Sequence, residues 1–209
     1  ASGVNNLPSD VNNIVLSDTL NIGSIPTQNG FNFAGYVYVF DGTTYTLNYI
    51  GGKFEKLVDE SGNEVAVDTN DIAADALKLT QLLTSGQLNS TALNSFEIIL
   101  QAQWTPKDIN ITLEYDSSMG SITEQIYNGS SYIVGTINFN YRDTLKHQAI
   151  LDGETTKYAL IVLDYNNNIK GRLIAENNAA NNYEFKNWLL NGSVIYLDDL
   201  VLITSDGVV

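Results

Sequence analysis

The chain has 209 residues, no cysteine and a formal charge of -14, from 10 Lys+Arg against 24 Asp+Glu. So acidic a surface repels phosphate backbones and anionic lipid heads, which argues against nucleic acid and membrane surfaces as partners. The missing cysteine excludes disulfides, thiolate metal sites and a cysteine nucleophile, and no run approaches the roughly 18 apolar residues of a membrane span.

A hydrophobic content of 44% is that of a globular protein. The lack of cysteine fits a cytosolic protein or a bacterial exported one. The chain opens Ala1-Ser2-Gly3, with neither a start methionine nor a signal-type apolar segment. A piece of a longer protein, or a processed form, is therefore expected.

Residues 1–20 are polar and Asn-rich, with a short strand expected over 14–16. Phe31 to Phe40 and Thr43 to Ile50 are rich in aromatic and β-branched residues and flank Asp41-Gly42, which predicts a hairpin. Lys53 to Val58 and Glu64 to Val67 suggest a second. Thr69 to Ser85 places Ile72, Ala73, Ala76, Leu79, Leu82 and Leu83 on one helical face, with capping oxygens at Asp68, Thr69 and Asp71 and a stop at Gly86. A helix is expected there. Phe96 to Trp104 reads as a strand that ends at Thr105-Pro106.

Past that break the grammar repeats. Ile109 to Tyr115 alternates as a half-buried strand does, and 122–127 is a further strand. Residues 131–141 look extended, whereas 145–151 is ambiguous and allows a short helical turn. Strands are expected over 157–165, 169–176 and 200–203, with a hairpin of 185–190 and 194–197 over Asn191-Gly192. These elements predict an α+β, β-rich fold of two tandem small modules, 1–105 and 106–209, the first with one clear helix over about 69–85. Thr105-Pro106 is a stiff link, so a nearly fixed angle between the modules is expected.

Two pairs of stretches look like one element used twice. Asn29-Gly30-Phe31-Asn32-Phe33-Ala34-Gly35-Tyr36 matches Asn182-Tyr183-Glu184-Phe185-Lys186-Asn187-Trp188 in its aromatic spacing, and a turn follows each. Leu100-Gln101-Ala102-Gln103-Trp104 closes the first copy, while 202–209 looks like the run-up to such an ending. With the strand Ile111-Thr112-Leu113-Glu114-Tyr115, these stretches resemble the Listeria–Bacteroides repeat, or internalin B-repeat, a module of bacterial surface proteins. The chain departs from it in carrying Tyr36 for the usual tryptophan and in longer insertions after Tyr36 and Tyr127. The resemblance implies a small β-grasp-like sheet crossed by one helix or helical turn, in a protein of the bacterial cell surface.

Chemistry is sparse. His147 is the single histidine, read as a surface residue. No serine motif forms a nucleophile elbow, and Gly51-Gly52-Lys53 is too short for a phosphate loop. Asp198-Asp199, Asp59-Glu60 and the oxygen-rich Asp164 to Asn168 are the calcium candidates, none with EF-hand spacing; solvated turns are the plainer reading. Twelve tyrosines among many asparagines suit carbohydrate or peptide contact. Phe33, Tyr36, Trp104, Phe185 and Trp188 read as core. Lys53, Lys56 and Lys157 are available for a Lys–Asn cross-link beside an acid.

No catalytic, cofactor-binding or metal-binding residue is assigned, and no cofactor is expected. The expectation is a non-catalytic, extracellular module pair of a bacterial cell-surface or secreted protein, acting in adhesion or as a spacer. Its partners would be a host or cell-wall glycan or protein and neighbouring modules of a longer chain. The alternatives are a carbohydrate- or peptide-binding module using exposed tyrosines, and a carboxylate-based glycan-acting enzyme. The last needs two carboxylates facing each other about 5–10 Å apart in a cleft.

Overall fold

The computed structural model describes residues 3–5, 19–21, 25–40, 42–63, 76–78, 97–177 and 184–209. The chain divides into two compact units, Ala1–Thr105 and Pro106–Val209. The described residues are about 60% strand with no helix, so the α+β expectation gives way to an all-β fold. Within the stretch read as a helix, Ala76–Lys78 is a strand, paired antiparallel with Thr19–Asn21. The rest of 69–85 lies outside the described residues, as do 14–16 and 64–67. The β-grasp expectation goes with the helix, because no described helix crosses either sheet.

In the first unit, β1 (Val4–Asn5), β3 (Thr27–Gln28), β4 (Phe31–Phe40), β5 (Thr43–Ile50) and β6 (Lys53–Asp59) form one sheet in that order, and β8 (Gln101–Pro106) also pairs with β4. β2 (Thr19–Asn21) and β7 (Ala76–Lys78) make the separate ribbon. The turn between β5 and β6 is Gly51-Gly52, both with positive φ, as a two-residue hairpin turn of type I′ requires. The strand expected to stop at Trp104 continues through Thr105-Pro106.

Alternation along β4 and β5 buries Tyr36, Tyr38, Phe40, Tyr45 and Leu47, with Phe54 from β6. Phe33 is the hub: its ring lies 5.0 Å from Tyr36, 5.2 Å from Tyr49 and 5.7 Å from Trp104, centre to centre. Large rings supply the buried area that a unit of about 100 residues without disulfides needs. Gly35 has φ of 128°, and a Cβ there would collide with the Leu47 carbonyl oxygen of β5. Only glycine lets the two strands pass so closely.

The second unit holds a six-stranded antiparallel sheet in the order β12 (Tyr132–Val134), β11 (Gly120–Tyr127), β16 (Ile169–Asn177), β15 (Thr155–Leu163), β14 (Thr144–Asp152), β19 (Leu200–Leu202). The ambiguous stretch 145–151 is therefore strand. One face packs on shorter pairs. These are β9 (Asp108–Ile109) with β13 (Phe139–Asn140), β10 (Ile111–Thr112) with β20 (Gly207–Val208), and β17 (Trp188–Leu190) with β18 (Ser193–Ile195). Leu145, Leu160, Val162 and Leu173 are fully buried between these layers, beside Trp188 and Ile195. The expected strand over 109–115 is only β9 and β10, broken at Asn110, whose N–H donates to Asp206 Oδ1 at 2.8 Å.

Candidate functional site

The chemistry-bearing residues singled out in the sequence are largely consumed by the fold. Asp59 Oδ1 accepts the N–H groups of Ser61 and Asn63, and its Oδ2 accepts Asn63 Nδ2. Asp164 does the same with Asn166 and Asn168, atom for atom. In both turns the backbone N–H of the aspartate donates to the carbonyl four residues on, and the residue before that, Gly62 or Asn167, has positive φ. Their carboxylates cap turns, as Asx side chains do. Asp199 Oδ2 accepts the Tyr196 N–H, and Asp198 sits at φ of 67°. Among the described residues no group of three or more His, Asp or Glu side chains could hold a metal ion.

His147 corrects its sequence reading. It is 4% exposed, not a surface residue, because it lies on the inward face of β14 that also buries Leu145. A carbonyl can only accept, so the 2.9 Å contact with Ile195 O makes Nδ1 the protonated nitrogen. Nε2 is buried without a partner. The ring meets Tyr158 and Phe185 edge-on.

The aromatic residues divide. Phe33 and Tyr36 are core, and Trp104 packs on Phe33. Phe185 and Trp188 pack on each other at 5.3 Å, and Phe185 stacks on Tyr158 at 5.3 Å. The stretches 29–36 and 182–188, alike in sequence, differ in setting: Phe31–Phe40 is a ten-residue sheet strand, whereas 184–187 has no strand and Trp188–Leu190 belongs to a two-stranded ribbon. Of the candidate lysines, Lys157 is held by Asp152 at 2.6 Å and Glu176 at 2.9 Å.

The second unit carries a cavity of about 250 Å³. It lies where β11 begins and β16 ends, beside Glu184, Phe185 and Asn187 to Leu189. Phe185 and Trp188 line it beside Tyr115, together with four acids: Glu114, Asp116, Glu176 and Glu184. Among the described residues no lysine or arginine lines it. Hydrogen bonds from the Ser118 hydroxyl and N–H hold Asp116 below the usual carboxylate range, so it is ionised at neutral pH. Trp188 is 3% exposed and its Nε1–H has no acceptor. At this size, below the ~300–1,000 Å³ of a drug-sized site, the cavity takes one small group. Aromatic walls and carboxylate acceptors suit a neutral, hydroxyl-bearing group and repel anions. Sequence reasoning missed the cavity because its walls come from separated segments.

Comparison with protein-family profiles, with curated proteins and with solved structures finds no match for this chain. No helix among the described residues is long and apolar enough to cross a membrane.

Proposed function

We propose that the chain is a pair of tandem, non-catalytic β modules of a bacterial cell-surface or secreted protein, working in adhesion or as a spacer. The observation that carries this reading is the shared turn: Asp59 to Asn63 in one unit and Asp164 to Asn168 in the other have the same hydrogen bonds and the same positive φ. Two units that reuse so specific a device suit a module repeated along a chain. The likeness to the Listeria–Bacteroides repeat adds the surface location to the proposal. A further support is that Asp59, Asp164 and Asp199 act as turn caps and His147 as a core contact. The test is the full-length gene, which should encode an export signal and further modules. A gene without an export signal overturns the reading.

The cavity favours a second reading, in which the second unit binds carbohydrate. The contact then falls to Tyr115, Phe185 and Trp188 and not to exposed tyrosines at large. Tyr115 is 53% exposed and lines the cavity, whereas Tyr196 is 66% exposed and does not. On a glycan array, Tyr115→Ala should lose most of the signal and Tyr196→Ala should keep it. Equal loss from both variants contradicts a cavity site.

A further inference from the structure

The second unit contains a lysine, an asparagine and an aspartate brought together from three elements. Asn140 ends β13, Asp143 closes the turn before β14, and Lys170 lies near the start of β16. Lys170 Nζ is 2.7 Å from Asn140 Oδ1 and 2.6 Å from Asp143 Oδ2. Asp143 Oδ2 also accepts the Asn140 N–H at 2.8 Å, which fixes the carboxyl against the asparagine backbone. The Asn140 amide is turned by its other end, since Nδ2 donates to Asp108 Oδ1 at 2.8 Å. The carboxamide oxygen therefore points at the lysine and the NH₂ points away.

Three features separate this cluster from an ordinary surface ion pair. Asp143 is 1% exposed, and its second oxygen, Oδ1, is buried without a partner. A buried carboxylate with one bare oxygen is poorly stabilised in its charged form. Burial pushes Asp143 above the usual carboxylate range, against the opposing pull of Lys170 and the Asn140 N–H. Asp143 is thus biased toward the neutral acid, and a lysine that has given it a proton is an amine, the form in which lysine is a nucleophile. The reacting carbon is also within reach. Cγ of Asn140 lies one C=O bond, about 1.2 Å, beyond Oδ1, so Nζ is at most ~4 Å from it, close to the ~3–3.5 Å of a near-attack arrangement.

We infer that Lys170 and Asn140 form an intramolecular isopeptide bond, with Asp143 moving the protons. Asp143 takes one proton from the Lys170 ammonium, leaving an amine with a free electron pair. Nζ adds to Cγ of Asn140, and the Asp143 proton goes to the carboxamide oxygen. A second lysine proton passes through Asp143 to Nδ2, and the C–Nδ2 bond breaks. The hydroxyl proton returns through Asp143 to the departing ammonia, so ammonium leaves with the lysine's original charge. An Nζ–Cγ amide remains and Asp143 ends as a carboxylate. No other reactant is required.

The bond would tie β13 to β16 across the base of the β14–β15 hairpin, which is a covalent clamp in a chain that has no cysteine. It does not rest on the proposed function, and either can fail without the other. Intact mass spectrometry of the purified full chain is the test. The expected mass is below the sequence mass by about 17 Da, the mass of one ammonia, in the bulk of the molecules. Protease digestion should release a branched peptide that joins the Asn140 and Lys170 segments. Lys170→Arg and Asn140→Ala should each restore the full sequence mass. Wild-type protein at its full sequence mass after prolonged incubation overturns the proposal. So does an ammonia loss that persists in Lys170→Arg without a branched peptide, since that is cyclisation of an asparagine on its own backbone.

Discussion

Asp59 and Asp164, one in each unit, hold the same five-residue turn with the same three hydrogen bonds. Partial desolvation pushes Asp164 up, but the Asn168 side chain and the N–H groups of Asn168 and Asn166 outweigh it, and the carboxyl lies below its ordinary value of 3.8. For Asp59, the Asn63 N–H and side chain dominate in the same direction. A carboxyl depressed in the folded state binds fewer protons there than in the unfolded chain. Its contribution is therefore complete above about 3.8 and lost as pH falls through the lower folded value. Asp164→Ala should lower the melting temperature at pH 7 and make little difference near pH 2. A deficit of the same size at both pH values contradicts the role given to the carboxylate.

Tyr36 is 1% exposed and its hydroxyl has no partner, while burial pushes its pKa up to about 12. Its ring stacks on Phe54 and meets Phe33 edge-on. The ring does the packing and the hydroxyl is desolvated without compensation. Tyr36→Phe should leave stability unchanged or raise it by about 1 kcal/mol, whereas Tyr36→Ala should cost about 3–5 kcal/mol. Urea unfolding measures both. A clear loss in Tyr36→Phe would show that the hydroxyl is bonded.

His147 joins β14 to the end of β18 through its bond to the Ile195 carbonyl. Phenylalanine keeps the aromatic contacts with Tyr158 and Phe185 but leaves that carbonyl, on a residue 1% exposed, without its donor. His147→Phe should cost about 1–3 kcal/mol, read as a lower urea midpoint with an unchanged slope. A variant as stable as the parent contradicts the assigned hydrogen bond.

The strands that sequence discloses best are those whose turns are written in glycine and asparagine. The β4–β5 hairpin follows from alternation across Asp41-Gly42, and β17–β18 from Asn191-Gly192, where both residues carry positive φ. β14 was obscured because Lys146, His147, Gln148 and Ala149 have no strand preference of their own. Pairing with β15 and β19 on its two sides makes it a strand. Ala76–Lys78 shows the same override in a segment whose apolar spacing is helical: its partner, Thr19–Asn21, lies more than 50 residues away. Local periodicity carries no record of a partner that distant.

The sites were hidden for a related reason. Lys170 stands between Ile169 and Gly171 in an ordinary strand, and nothing nearby announces that Asn140 and Asp143 lie within hydrogen-bond reach. The cavity is likewise assembled from β11, β16 and 184–189. What sequence does show is the composition of the segment beside it, Glu184-Phe185-Lys186-Asn187-Trp188, whose two aromatic residues were read as core and do both jobs.

The central proposal places these modules on the outside of a bacterial cell. Antibodies raised against residues 106–209 and applied to the producing cells, intact and permeabilised, test it most directly. Intact cells or the culture medium should carry the antigen, and brief protease treatment of the cell surface should remove any cell-bound signal. Labelling that appears only after permeabilisation would contradict the proposal.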